Sequence, residues 1–420
     1  MSLAILDARV LTMRGDGVAS PSSEGLGVLP RASVLVESGR ISRIEPGDDG
    51  ARAVLAAEPR TVIDARGRVL MPGFVDAHTH ACWAGDRLDE WLYQRRGRSY
   101  LDVLRSGGGI MSTVRAVRAA SVETLAADLR RRLHRMLDDG STTVEVKSGY
   151  GLSTEAELKM LRAIADVAST FPGTVVPTAL LGHALDPDHP DGPEAFVDDT
   201  IAKTLPAVSR AYPGITIDAY CESGAWSVEQ CVRLFEAASK LGHGFRVHAD
   251  QFNALGMVER AIGLGARSVD HLEASTPESL ARLALSPATY GVVLPVCGLH
   301  VDDRYADARA FLDASPQARL VIATNFNPGS APCGSMPLAI ALAVRKCGLW
   351  PHEAIRAATA APADLLGLSD RGRIEPGLRA DLVLLRHTDE RALAYELGFR
   401  HADAVVCGGR VVTADQAPKA

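Results

Sequence analysis

Two histidines, His78 and His80, stand two residues apart after an apolar run from Val69 to Val75. The run reads as one buried strand, and alternate side chains of a strand share a face. Both imidazoles then project the same way and can grip one metal ion, provided other parts of the chain complete its shell. Polar residues recur where six later apolar runs stop: Lys147-Ser-Gly-Tyr150, His183, Cys221-Glu222, His248-Ala-Asp-Gln251, Asp270-His271 and Thr324-Asn-Phe-Asn-Pro-Gly-Ser330. A single histidine at such a place is ordinarily a satisfied structural residue. Five of them at strand ends (His78, His80, His183, His248 and His271) are better explained by a metal site.

The elements that must position these groups follow a simple rhythm. From Val69 onward, short apolar strands alternate with amphipathic helices. The strands are read over Val69–Val75, Thr142–Lys147, Thr174–Leu180, Ile215–Cys221, Arg246–His248, Ser268–Asp270, Gly291–Leu294 and Leu320–Ala323. Helices are expected over Val122–Leu137, Glu155–Ala168, Val228–Leu241, Gly256–Leu264, Pro277–Leu285, Tyr305–Ala314 and Pro337–Lys346. Eight strands in this alternation predict an α/β fold, a TIM-like (β/α)8 barrel, whose functional groups gather at the C-terminal strand ends. Branched, Gly- and Pro-punctuated runs at both termini (Leu3–Met13, Ala32–Glu37, Ile41–Ile44, Thr61–Asp64; Ala380–Leu385, Ala404–Cys407, Arg410–Thr413) read as strands. They are expected to pair into a small β-sandwich, with Gly15–Pro30 a loop. The expected division is therefore 1–70 and 371–420 for the two parts of the sandwich and 71–370 for the barrel. His134, His189, His243, His352, His387 and His401 read as surface residues. His300, just past the seventh strand, has no assigned role.

At 420 residues the chain accommodates a barrel of about 250 residues with an appendage. A net charge of −6 gives no basic footprint for nucleic acid. No run approaches the roughly 18 apolar residues of a membrane helix, so no membrane association is expected. The seven cysteines are scattered and form no Cys-x-x-Cys pair, which argues for reduced thiols rather than a disulfide framework. The first residues lack a basic region and a long apolar core, as a signal peptide would require. A cytoplasmic protein is expected.

His78-Thr-His80, Gly85-Asp-Arg87, Gly107-Gly-Gly-Ile110, Val146-Lys-Ser-Gly-Tyr-Gly-Leu152, His248-Ala-Asp-Gln251, Asp270-His271-Leu-Glu273 and Asn327-Pro-Gly-Ser330 together resemble the imidazolonepropionases of the amidohydrolase superfamily. The closing run Gly372-Arg-Ile-Glu-Pro-Gly-Leu-Arg-Ala-Asp-Leu-Val383 also resembles that superfamily, so the likeness spans nearly the whole chain. The resemblance implies hydrolytic opening of the 4-imidazolone-5-propanoate ring to N-formimidoyl-L-glutamate, in histidine degradation. It implies one Zn2+ or Fe3+ ion on His78, His80 and His248, with position 325 as a further ligand. It makes Arg87 the clamp for the substrate carboxylate, a task suited to a planar guanidinium. Tyr150 and His183 contact the substrate, Gln251 bonds its ring, and His271 orients the attacking water. Asn327, Gly329 and Ser330 line the end that holds the carboxylate or product; the turn chemistry of Gly329 and Ser330 alone could also explain those two. Lys147 is not a ligand in this single-metal branch. A homodimer is implied as well.

One position departs from the pattern. The family has Asp where this chain has Asn325, and that Asp touches the metal and carries a proton from water to the leaving nitrogen. A carboxamide offers a weak neutral ligand oxygen but no basic site. Three accounts follow: a substitution that traps substrate in an otherwise intact enzyme, a cyclic amidohydrolase of a related hydantoin-like or thio-substituted propionate, and a non-catalytic imidazolone-binding protein.

Overall fold

The computed structural model describes residues 2–14, 25–96 and 109–414. Gly107 and Gly108 of the glycine motif, and residues 15–24 of the expected loop, lie outside the described residues. The strands, in chain order, are β1 (Ser2–Leu11), β2 (Val28–Glu37), β3 (Arg40–Pro46), β4 (Thr61–Asp64), β5 (Val69–Pro72), β6 (Phe74–Asp76), β7 (Ser141–Lys147) and β8 (Thr174–Gly182). They continue with β9 (Thr216–Cys221), β10 (Phe245–Ala249), β11 (Ser268–His271), β12 (Tyr290–Val293), β13 (Leu320–Ile322), β14 (Leu382–Leu385), β15 (Ala402–Cys407) and β16 (Arg410–Ala414).

Strands β6 to β13 form one eight-stranded sheet in sequential order, every pair parallel. β13 and β6 share no ladder, yet the chain beyond them meets: Asn325 N donates to His78 O at 3.0 Å and His80 N to Phe326 O at 3.2 Å. The barrel therefore closes at its C-terminal rim, where the functional groups sit. The expected helices pack outside it. Val122–Asp138 starts at Ser121, whose side chain accepts from Thr124 N, and buries Leu125, Leu129, Leu133 and Met136. The same helix buries Arg132, which stacks 3.4 Å from the Trp83 ring centroid and donates to Ala81 O and Trp83 O. That cation fixes the segment just after His80.

The two chain ends form a second eight-stranded sheet, β16-β15-β14-β5-β1-β2-β3, with β4 also on β1. One core contains Val34, Val36 and Ile41 from one end of this sheet and Leu382, Leu384 and Val406 from the other. Ile41 N to Leu378 O and Ala380 N to Gly39 O join those ends, so the sheet folds over its own apolar face.

The expected single strand Val69–Val75 is in fact two. β5 pairs with β1 and β14 in the composite sheet, whereas β6 pairs with β7 in the barrel. Gly73 is the changeover. A Cβ there would meet Thr142 Oγ1 at 2.2 Å, and Gly73 N donates to Asp381 O at 2.9 Å. The loop expected as far as Pro30 is also corrected, because β2 begins at Val28. Helices at Leu88–Arg95, Ile110–Ala119, Gly192–Asp199, Leu205–Ala211 and Pro295–His300 were not read from the sequence. Most of them span eight residues or fewer, about two turns, which leaves little periodicity to register.

Candidate metal centre and substrate pocket

β6 stops at Asp76, so His78 and His80 lie beyond the strand rather than in it. The segment stays extended because it is bonded on both sides. Lys147 N donates to Thr79 O at 3.0 Å, opposite the bonds to residues 325 and 326. Alternation therefore survives, and both imidazoles face inward. His78 Nε2 lies 3.3 Å from His80 Nε2, and His248 Nε2, from β10, lies 3.2 Å from the same atom. Three nitrogens around a tetrahedral ion at about 2.0–2.1 Å are separated by roughly 3.3 Å. Two of the three separations have about that value and all three ligand atoms lie within 4.8 Å of one another, so the triad suits one ion.

Its protonation state fits too. His78 Nδ1 pairs with Asp270 Oδ2 at 2.5 Å and His248 Nδ1 with Asp218 Oδ1 at 3.1 Å. Each carboxylate holds the Nδ1 hydrogen and leaves the Nε2 lone pair facing the centre. Burial, reinforced by the nearby cations and rings, pushes all three histidines well below the ordinary imidazole range. Neutral imidazoles are the ligating form.

Beneath the triad lies a buried ionic cluster. Lys147 Nζ is 2.8 Å from Glu145 Oε1 and 2.8 Å from Asp218 Oδ2, and all three side chains are inaccessible to solvent. Arg246 pairs with Asp270 and donates to the carbonyl of Ala77. Lys147 is thereby committed to two carboxylates that brace the ligands. Asp76, whose carboxylate accepts from the Thr324 hydroxyl at 2.5 Å, is raised by burial to about 7 despite those bonds.

The expected substrate contacts lie around the triad. His183 stacks on His80 with centroids 4.9 Å apart and is held by Gly149 O at 2.9 Å; burial lowers it to about 4. Tyr150 lies 4.9 Å from His183 and 6.1 Å from His80, centroid to centroid. His271 closes the other side, 5.6 Å from His248 and 6.0 Å from His78. Burial alone would lower His271, but Glu273, 3.2 Å from Nδ1, and Cys297 raise it to about 10. Gln251 bonds Tyr220 and Cys297.

Asn325 is fully buried, with a left-handed backbone (φ 61°) of the kind asparagine tolerates. Its Nδ2 reaches Ser330 Oγ at 3.2 Å, while its Oδ1 finds no hydrogen-bond partner among the described residues. A buried amide oxygen is rarely left unsatisfied, so this one is available to a ligand. Asn327 also shapes its own loop. Its Oδ1 accepts from Gly329 N (2.8 Å) and Ser330 N (3.3 Å) and builds the turn.

Arg87 lies apart from the triad, in a cavity of about 400 Å³ lined by Trp83, Trp91, His300, Pro328, Gly329 and Pro332 among others. A Cβ on Gly329 would come within 3.0 Å of Arg87 NH1, so the glycine makes room for the guanidinium. Arg87 pairs with Glu90, and its NH1 is 3.4 Å from Thr113 Oγ1.

Sequence reading missed Tyr220, Glu273 and Cys297 as members of the site, and two histidines placed on the surface are buried. His243 is satisfied by Ile215 O and Ser209 Oγ, both at 2.8 Å, and His401 packs on His387.

Residues 69–412 match the model of the amidohydrolase family. An imidazolonepropionase of Herpetosiphon aurantiacus is 44% identical over 401 residues, covering 93% of this chain and 92% of that protein. A 5-methylcytosine deaminase from Klebsiella pneumoniae liganded with 5-fluorocytosine superposes with a TM-score of 0.73 at 15% identity, covering 99% and 98% of the two chains. An atrazine chlorohydrolase from Arthrobacter aurescens complexed with zinc gives 0.70 at 18% identity, covering 99% and 96%. These two structures share the fold.

Proposed function

The chain belongs to the amidohydrolase family, and we propose that it opens the ring of 4-imidazolone-5-propanoate with water to give N-formimidoyl-L-glutamate. The observation that carries this reading is the convergence of three neutral imidazoles, each Nε2 within 3.3 Å of its neighbour at His80, on a chain so close to an imidazolonepropionase. The related-ring hydrolase and the non-catalytic binder have no comparable support.

His78, His80 and His248 would hold one metal ion, zinc or iron, since three imidazoles suit either. When bound, the ion lowers the pKa of water towards about 7 and so supplies the nucleophile at neutral pH. The remaining steps belong to the chain. Arg87 takes the propanoate carboxylate beside Gly329, where its NH1 has only the long Thr113 contact among the described residues. Tyr150 and His183 bound the ring on one side and Gln251 on the other. His183 turns its second nitrogen toward the carbonyl, because Nδ1 is engaged by Gly149. His271, held by Glu273, orients the water. A C–O bond forms at the ring carbonyl, the ring C–N bond breaks, and a proton must pass from water to the leaving nitrogen. Asn325 stands where that proton would pass, and its carboxamide cannot carry it. Turnover about 10²–10⁴-fold below that of an aspartate-bearing enzyme follows.

The test is hydrolysis of 4-imidazolone-5-propanoate by metal-loaded protein, against His248→Ala. One metal per chain and turnover lost with His248 support the reading; full metal retention without His248 removes the ligand set. Among the described residues no helix is long and apolar enough to cross a membrane. The homodimer and cytoplasmic location implied by the resemblance are tested by sedimentation and fractionation.

A further inference from the structure

The helix Pro295–His300 follows β12 and carries Cys297 into the site with 3% of its surface exposed. Gln251 Nε2 donates to Cys297 Sγ at 3.2 Å, and the same thiol lies beside His271, the side-chain ligand atoms of His271, Glu273 and Cys297 all falling within 4.8 Å of one another. Gln251 Oε1 accepts from the Tyr220 hydroxyl at 2.8 Å. His271 Nδ1 lies 3.2 Å from each carboxylate oxygen of Glu273. One sulfur therefore joins the residue assigned to the substrate ring and the residue assigned to the water. Because Tyr220 donates to the amide oxygen, the amide nitrogen must face sulfur, and a thiol can accept there whether or not it donates to His271.

The backbone supplies an independent sign that this corner is built. His271 and Leu272 have φ values of 92° and 73°, successive left-handed residues without a glycine between them. Such conformations are strained and persist where side-chain contacts over-determine them. Asp270 anchors one end through Ser268, His78 and Arg246, and Glu273 holds the ring itself with Cys297 beside it.

We propose that Cys297 is a positioning residue, whose thiol sets the amide orientation of Gln251 and the ring of His271 together. This deepens the site reading above and rests on it. The probe is imidazole-4-propanoate, which carries the substrate's ring and carboxylate without the scissile carbonyl, so binding is read without turnover. Calorimetry on metal-loaded protein should show Cys297→Ala binding it about 2–10-fold more weakly, the worth of one hydrogen bond from a misoriented Gln251 to the ring. Melting temperature and metal content should stay near the parent's. Cys297→Ser, which keeps donor and acceptor, should recover most of the affinity. Tyr220→Phe, which frees the amide oxygen, should weaken binding in the same direction and serves if the alanine variant fails to fold. Equal losses in the serine and alanine variants would reduce Cys297 to packing, and unchanged affinity in Cys297→Ala would end the proposal. Gln251→Ala, measured in parallel, separates the two levels. If it leaves affinity unchanged, the ring contact assigned to Gln251 is wrong, whatever Cys297 does.

Discussion

Replacing Lys147 by Met tests the buried cluster that supports the triad. The substitution removes one cation and keeps an apolar stem of similar length. Two cations, Lys147 and Arg246, lie among three carboxylates, Glu145, Asp218 and Asp270, with no solvent contact at any lysine or carboxylate atom. Losing the lysine raises the excess negative charge of the ionised cluster from one to two and strips two 2.8 Å bonds. Breaking a buried pair by removing one partner costs about 3–5 kcal/mol. With an unfolding entropy of roughly 2.1 cal/mol/K per residue, a chain of this size has a slope near 0.9 kcal/mol/K, so the melting temperature should fall by about 3–6 °C. Metal loading should narrow that gap, since a dication offsets the added negative charge. Metal content should remain one per chain, because His78, His80 and His248 are untouched. Calorimetric melting with metal analysis reads both. A melting point within a degree of the parent, or loss of metal with the lysine, would show that Lys147 is not the structural cation described here.

Three further outcomes are expected. Gly73→Ala should cost about 1–3 kcal/mol or more, since its Cβ would sit 2.2 Å from Thr142 Oγ1, whereas Gly263→Ala, with nothing within 4 Å, should be neutral or stabilising; urea melts compare them. Arg87→Ala should raise KM by about 10–100-fold, the worth of a charge-assisted bond to a carboxylate, with kcat little changed; unaltered KM refutes the clamp. His401 is lowered by burial and by His387, so its stabilising contribution is fully present above about pH 6.5 and is lost as pH falls through its folded value. Melting temperatures from pH 7.5 to 5 should therefore fall less steeply in His401→Gln, by no more than the one-proton ceiling of about 1.4 kcal/mol per pH unit.

The barrel was legible because each strand–helix unit repeats a periodic pattern long enough to read. Five rim histidines were legible because barrel rims collect polar strand ends, while the choice of three as ligands came from the family resemblance. What escaped reading has physical causes. A short apolar run does not reveal which sheet it serves, so the changeover at Gly73 was hidden although the glycine itself was visible. Tyr220 and Cys297 reach the site singly, with no spacing to mark them, and Glu273 was seen only as part of a motif. Asn327 was read only as lining the pocket from its motif, and the turn its Oδ1 builds was not foreseen. His243 and His401 are buried by packing between elements that lie far apart in sequence.

The most direct measurement is turnover of 4-imidazolone-5-propanoate by the metal-loaded chain and by Asn325→Asp under identical conditions, with metal content determined for both. Equal loading at about one ion and a gain of about 10²–10⁴-fold in kcat for the aspartate form are expected if position 325 carries the proton. Ordinary enzymatic turnover by the asparagine chain, unimproved by aspartate, would contradict it and move that role to another group.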